Sequence, residues 1–222
     1  MSLTFGAATS DRVNHGTGFA NLAAFTAWCW VYPTTITNGR RFLGNIGGGA
    51  FAGWDLSFTG AGGALLWEIN RATTPSSTKT STALTTNSWW FLAATIDMAA
   101  GTVGRVFVGS LSAAVAEAGY SSNTNGSGAQ KDDSANALIV GNIPGATSAI
   151  QGHIACAGVV NRVLTLGEME QLQYRPRKLP GTLLLCNYGW NGTGTQRDLS
   201  GNGNDGTVTG ATVGPFHVPV NL

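Results

Sequence analysis

The sequence predicts an all-β protein, a two-sheet antiparallel β-sandwich with one short helix near residues 165–173. Three features predict it. Short apolar or alternating runs recur along the 222 residues, each closed by Gly, Asn, Ser or Thr, which is the punctuation of a sandwich or barrel. Only one stretch carries a helix start signal. Charged residues make up 10% of the chain, against roughly 25% in ordinary globular proteins, while seven Trp and nine Phe supply the bulk of a core. Disorder would need the opposite balance.

The predicted strands are 3–5, 24–32, 54–58, 64–69, 89–96, 103–108, 137–140, 152–160 and 182–190. In 24–32, Trp28, Trp30 and Tyr32 fall on one side, with Phe25, Ala27, Cys29 and Val31 on the other, as the two-residue period of a strand requires. The helix starts at Thr165, which forms a capping box with Glu168, and Met169, Leu172 and Gln173 share one side of it. Residues 70–88 and 118–136 are rich in Ser, Thr, Asn and Gly and read as long polar loops, the segments on which binding commonly resides. Solvated loops, or loops packed on a neighbouring subunit, fit them equally well. The Gly-rich stretch 44–54 reads as a turn or bulge, because no Lys-Ser/Thr pair and no helix follow to make a phosphate loop.

Several function classes are excluded at this level. A net charge of +1 without a basic stripe argues against nucleic acid; the Arg/Lys cluster at 174–180 is short and broken by Pro. No apolar run approaches the roughly 18 residues of a membrane span, and the N-terminus lacks the basic and apolar regions of a signal peptide. Cys29, Cys156 and Cys186 each lie inside an apolar run. An odd number without tight spacing is neither a disulfide framework nor a zinc site, so they read as buried thiols; a Cys29–Cys186 or Cys156–Cys186 bridge is left open.

Several runs together resemble the concanavalin A-like jelly roll in its laminin-G-like branch. They are FTAWCWVYPT at 25–34, NSWWFLAATID at 87–97, GTVGRVFVGSL at 101–111 and ALIVGN at 137–142, followed by Gly152, Ile154, Asn161, Arg162, Leu164, Thr165 and Glu168. The resemblance covers most of 3–175 in order. The segment 181–214, with its DLSGNGND turn, is similar to the part that normally opens such a domain; here it closes the chain. The resemblance therefore implies one domain over 1–214, its usual first strand supplied last, and an extended tail over 215–222.

Glycosidases of this superfamily present two or three acids on one strand, since hydrolysis needs one carboxyl to protonate the leaving oxygen and a second to attack or to activate water. The eleven acids nowhere alternate along a predicted strand, so no catalytic residue is expected. The resemblance places metal-binding acids where this chain has Gly6, Gly109 and Ala155. Asp198, Ser200, Asn202 and Asp205 offer oxygens in one turn and are the calcium candidate; the Glu that would complete a helix-loop-helix calcium loop is missing, and a tight Asn-Gly turn needs no metal. No other cofactor is expected. His15, His153 and His217 are isolated, and the sequons at Asn125 and Asn191 mean little without secretion. Aromatics remain. By resemblance Trp30 and Trp89 are core, whereas Trp54 and Trp190, each beside Gly, and Tyr120, beside a polar stretch, are the candidate sugar-binding rings.

Two functions are compatible with this. The first is a non-catalytic structural or interaction protein of a virus particle, a bacteriophage capsid decoration or tail-associated protein. Its partners would be other virion proteins or copies of itself, with the Pro-rich tail as a docking arm. The alternative is a carbohydrate-binding module recognising cell-surface glycan, on a particle or extracellular. An inactive glycosidase relative stands third.

Overall fold

The computed structural model describes all residues except 7–9, 48–51, 100–102, 146 and 216–222. The predicted tail beyond Pro215, His217, and the centre of the Gly-rich stretch 44–54 therefore lie outside the described residues.

Sixteen strands and one helix are described. They run β1 (Ser2–Phe5), β2 (Arg12–Asn14), β3 (Ala24–Thr35), β4 (Arg41–Gly44), β5 (Trp54–Thr59), β6 (Ala64–Ile69), β7 (Ser76–Ala83) and β8 (Trp90–Asp97). Then follow β9 (Arg105–Ser110), β10 (Ala116–Glu117), β11 (Tyr120–Thr124), β12 (Ile139–Val140), β13 (Gln151–Val160), α1 (Leu166–Tyr174), β14 (Thr182–Asn187), β15 (Thr207–Thr209) and β16 (Thr212–Gly214). One sheet has the order β10-β9-β8-β3-β13-β1-β16, with β14 also pairing β13; the other runs β11-β7-β6-β5-β4-β12-β2-β15. The described strand pairs are antiparallel. The two-sheet sandwich with one helix is the predicted architecture.

The alternation of β3 divides the apolar residues between two cores. Phe25, Ala27, Cys29 and Val31 point between the sheets, where they meet Trp54, Leu56, Trp67 and Ile154. Trp28 and Trp30 point outward into a second cluster with Phe91, Phe107, Met169 and Leu172. Helix α1 lies over that cluster and removes it from water. Its start is the predicted capping box: Thr165 accepts from Glu168 N, and Glu168 reaches back to Thr165 N at 2.9 Å. Arg162 grips Glu168 with two hydrogen bonds of 2.9 and 2.7 Å, which hold its carboxyl down at about 2. Gln173, wholly buried, fixes the other end of the helix. Its Nε2 donates to Ser110 O and Ala113 O, and its Oε1 accepts from Val115 N.

The expectation of loops over 70–88 and 118–136 is corrected. They contain β7 and β11, which pair with each other at one edge of the second sheet. Ser76, Thr78 and Thr80 alternate inward and are buried. A buried hydroxyl is tolerated when hydrogen-bonded: Thr80 Oγ1 donates to Thr82 O and accepts from Leu65 N. Thr suits a pleated strand as well as Val does, so polarity here concealed a strand. The register also excludes a Cys29–Cys186 bridge. Both residues stand opposite Ala157, one on each side, two strand spacings or about 9.5 Å apart, beyond disulfide reach. All three thiols are free and buried.

Candidate functional site

The three ring candidates separate. Trp54 is fully buried, its centroid 5.0 Å from Phe25 and 5.5 Å from Trp67, so it cannot stack on a ligand. The neighbouring Gly53 signals close packing rather than exposure: it has φ 96°, and a Cβ there would lie 2.5 Å from Asn45 O. Tyr120 is half-buried. Its hydroxyl donates to Glu117 Oε1 at 2.6 Å and accepts from Val106 N, and burial with Glu117 pushes it up to about 12. It lines a groove of about 590 Å³ with Arg105, Glu117 and Asp97, but its polar end is committed.

Trp190 is different. It is 71% exposed and lies with Leu199, itself 45% exposed, beside Asn187, Asn191 and Arg197. The alternation of 196–200 makes this surface: Gln196, Asp198 and Ser200 turn inward and are buried, so Arg197 and Leu199 turn out. The loop carrying Trp190 is braced from beneath. Gln196 Oε1 accepts from Gly189 N at 2.9 Å, and its Nε2 donates to Gly192 O and Gly194 O. Asn191 Nδ2 donates to Thr195 O at 3.0 Å. Gly189 is required where it stands, at φ 78°, since a Cβ would lie 2.3 Å from Ser2 O. A large indole is thus held in water on a fixed loop, flanked by two amides and a guanidinium.

Asp198, Ser200, Asn202 and Asp205 close a hydrogen-bonded turn. Asp198 accepts from Leu185 N, Ser200 N, Ser200 Oγ and Asn204 N. Burial acts to raise its pKa, but these donors outweigh it and hold the carboxyl below the usual range. Asp205 accepts from Asp198 N, and Asn202 Nδ2 donates to Thr182 O. Both Asp198 oxygens, Ser200 Oγ and Asp205 Oδ1, which calcium would need, face N–H or O–H donors already. Among the described residues no three His, Cys, Asp or Glu side chains gather as a metal set. At Gly109 the missing acid's space is filled by Gln173, 2.8 Å from a would-be Cβ.

One pair escaped inspection strand by strand. Asp55 and Glu68 stand directly opposite each other on β5 and β6, and burial raises both carboxyls, with Asp55 adding to the rise at Glu68. Two acids with raised values are what a hydrolase uses. Asp55, however, is 1% exposed, and its Oδ2 is held by Arg41 Nε at 3.0 Å. No sugar oxygen can reach it, so the group is an ion pair sealed into the sheet.

A family model described as the concanavalin A-like lectin/glucanases superfamily matches residues 6–169. The chain belongs to the concanavalin A-like lectin/glucanase superfamily. No curated protein sequence matches it. Among solved structures, a Bacteroides ovatus protein provisionally assigned as carbohydrate binding superposes with a TM-score of 0.68 at 16% identity, over 99% of this chain and 61% of its own. This concanavalin A-like chain thus spans less than two thirds of that protein. A native heptameric SAP-like pentraxin from Limulus polyphemus superposes with a TM-score of 0.53 at 12% identity, over 77% of this chain and 80% of its own. Both show the same sandwich. Among the described residues no helix is long and apolar enough to cross a membrane.

The concanavalin A-like core also buries a histidine behind the Trp190 loop. His15 Nδ1 lies 2.8 Å from Asn204 O and Nε2 2.9 Å from Tyr188 OH. A carbonyl only accepts, so Nδ1 carries the proton and Tyr188 donates to Nε2. Burial holds His15 below its usual range, against the opposing pull of Asn204 O, Asp198 and Asp205; burial does the same to His153. A base depressed in the folded state binds fewer protons there than in the unfolded chain, so stability falls as pH drops below about 6.5. The urea midpoint is expected to fall between pH 7.5 and 5.5, and His15→Gln to reduce that slope while lowering the midpoint at both pH values.

Proposed function

We propose that this protein is a non-catalytic saccharide-binding module whose ligand stacks on Trp190. The carrying observation is the exposed indole on a braced loop, since a rigid aromatic anchor with few polar partners binds at low ordering cost. The ring and Leu199 suit the apolar C–H face of a sugar, and Asn187, Asn191 and Arg197 suit its oxygens. The carbohydrate-binding assignment of the Bacteroides neighbour points the same way. The sealing of Asp55 against Arg41 supports the non-catalytic part of this reading. This reading takes precedence over a virion role, which rests on composition and on a tail of which 216–222 lie outside the described residues.

On an array of immobilised glycans the wild type is expected to bind at least one class. Trp190→Ala should weaken that binding about thirtyfold, equivalent to roughly 2 kcal/mol. Its melting temperature should not move, because exposed positions contribute within about 0.5 kcal/mol. Binding that survives Trp190→Ala unchanged would refute the assignment. Release of reducing sugar by the wild type, abolished in Asp55→Asn, would refute its non-catalytic part.

A further inference from the structure

A second aromatic surface lies on the outer side of the helix-bearing sheet, past the end of α1. At the end of that sheet Tyr32 and Trp90, both half-buried, line a trough of about 460 Å³. Trp89, 7% exposed, packs beneath with its centroid 5.4 Å from that of Tyr32, while Trp90 leans on the inter-sheet core. Its rim is formed by Thr85, Asn87, Ser110 and Ser112; Thr85, Asn87 and Ser112 are exposed, and Ser110 is half-buried. No charged side chain lines it. The rim is fixed rather than loose. Trp90 Nε1 donates to Thr85 O at 3.0 Å, Asn87 N to Pro33 O at 2.8 Å, and the amides of Ser112 and Ala113 donate to Ser110 Oγ. Asn87 holds a left-handed φ of 60°, a conformation that Asn tolerates better than most residues, and this turns the 85–88 corner over Tyr32. A concave apolar floor with a few fixed polar groups is the general form of a small-molecule site.

We propose that this trough is a second saccharide subsite that takes an uncharged sugar. Ring faces below and hydroxyl and amide groups above match a neutral pyranose, and a carboxylate or sulfate would find no cation to pair with among the lining residues. The trough shares no lining residue with the Trp190 platform. Along the sheet, Trp190 follows β14, which pairs β13, and Trp89 precedes β8, which pairs β3. Three strand steps, or about 14 Å, separate the two sets, so a monosaccharide cannot occupy both. The proposal rests on the saccharide-binding reading but on different residues, and the two fail separately.

The test titrates cellohexaose, maltohexaose, mannohexaose and xylohexaose into three proteins: wild type, Trp190→Ala, and Trp190→Ala with Ser112→Trp. The last change plugs the mouth from an exposed position, and Thr85→Trp is the alternative plug if it folds poorly. Binding of at least one oligosaccharide should persist in Trp190→Ala and fall at least tenfold on plugging. A uronic-acid oligomer should bind Trp190→Ala at least tenfold more weakly than that neutral oligosaccharide. Equal affinity with and without the plug overturns the trough and leaves the platform intact. Binding that vanishes wholly in Trp190→Ala does the same. If no neutral oligosaccharide binds any of the three, the trough is refuted, and the full glycan array then decides the platform by itself.

Discussion

Trp67→Ala is expected to destabilise the protein by about 3–5 kcal/mol, the range for truncating a fully buried Trp. Trp67 ties the two sheets together. It projects from β6 into the inter-sheet core, meets Phe25 edge-on at 5.6 Å, and donates from Nε1 to Thr95 O at 3.1 Å on β8 of the other sheet. Removing it opens a cavity between the layers and leaves that carbonyl without its donor. Urea unfolding should show a lower midpoint at nearly the same m-value, with melting reduced on the order of 10 °C. A loss below about 1 kcal/mol would mean that the sheets are held by something other than these indoles.

Gln173→Leu is expected to cost about 3 kcal/mol or more, although it exchanges a polar side chain for an apolar one of similar size. The amide of Gln173 satisfies Ser110 O, Ala113 O and Val115 N, at 2.7, 2.8 and 2.7 Å. Ala113 O keeps Ser110 N as a donor, so the groups stranded are Val115 N and Ser110 O, and each costs about 1–3 kcal/mol to the extent that it is buried. The damage should be local. Amide hydrogen exchange should quicken across 110–117, beside the rim of the trough, while β13 keeps its protection. Uniform quickening over both sheets would contradict this role.

What the sequence disclosed follows from where each signal resides. The helix was legible because Thr165 and Glu168 sit within one turn, and β3 because its apolar residues alternate over a long run. β7 and β11 were hidden because their inward positions are hydroxyls, which look like solvent-facing residues until their partners are known. The short strands β2, β15 and β16 exist only by pairing with distant segments, and the two-residue β10 only by folding back on β9. Trp54 was misjudged because a neighbouring Gly serves equally for an exposed turn and for a close backbone approach. The Asp55–Glu68 pair could not be found by scanning single strands, since register brings those acids together. The trough was invisible for the same reason, being assembled from the ends of β3, β8 and β9. Trp190 carries the same signal, a neighbouring Gly, and there the Gly does mark an exposed turn.

The central claim is that ligand meets the rings that reach solvent, Trp190 on the platform and Trp90 with Tyr32 in the trough, while the deeper indoles hold the sheets together. The chain has seven Trp and therefore seven indole N–H signals in a nitrogen-15 correlation spectrum, each assignable by substitution. Titration with a glycan selected on the array should move the signal of Trp190, or that of Trp90, with Trp89 beneath the trough following it, if the trough is filled. The signals of Trp28, Trp30, Trp54 and Trp67, all buried, should stay in place. Shifts centred on those four, with Trp190, Trp89 and Trp90 unmoved, would contradict it.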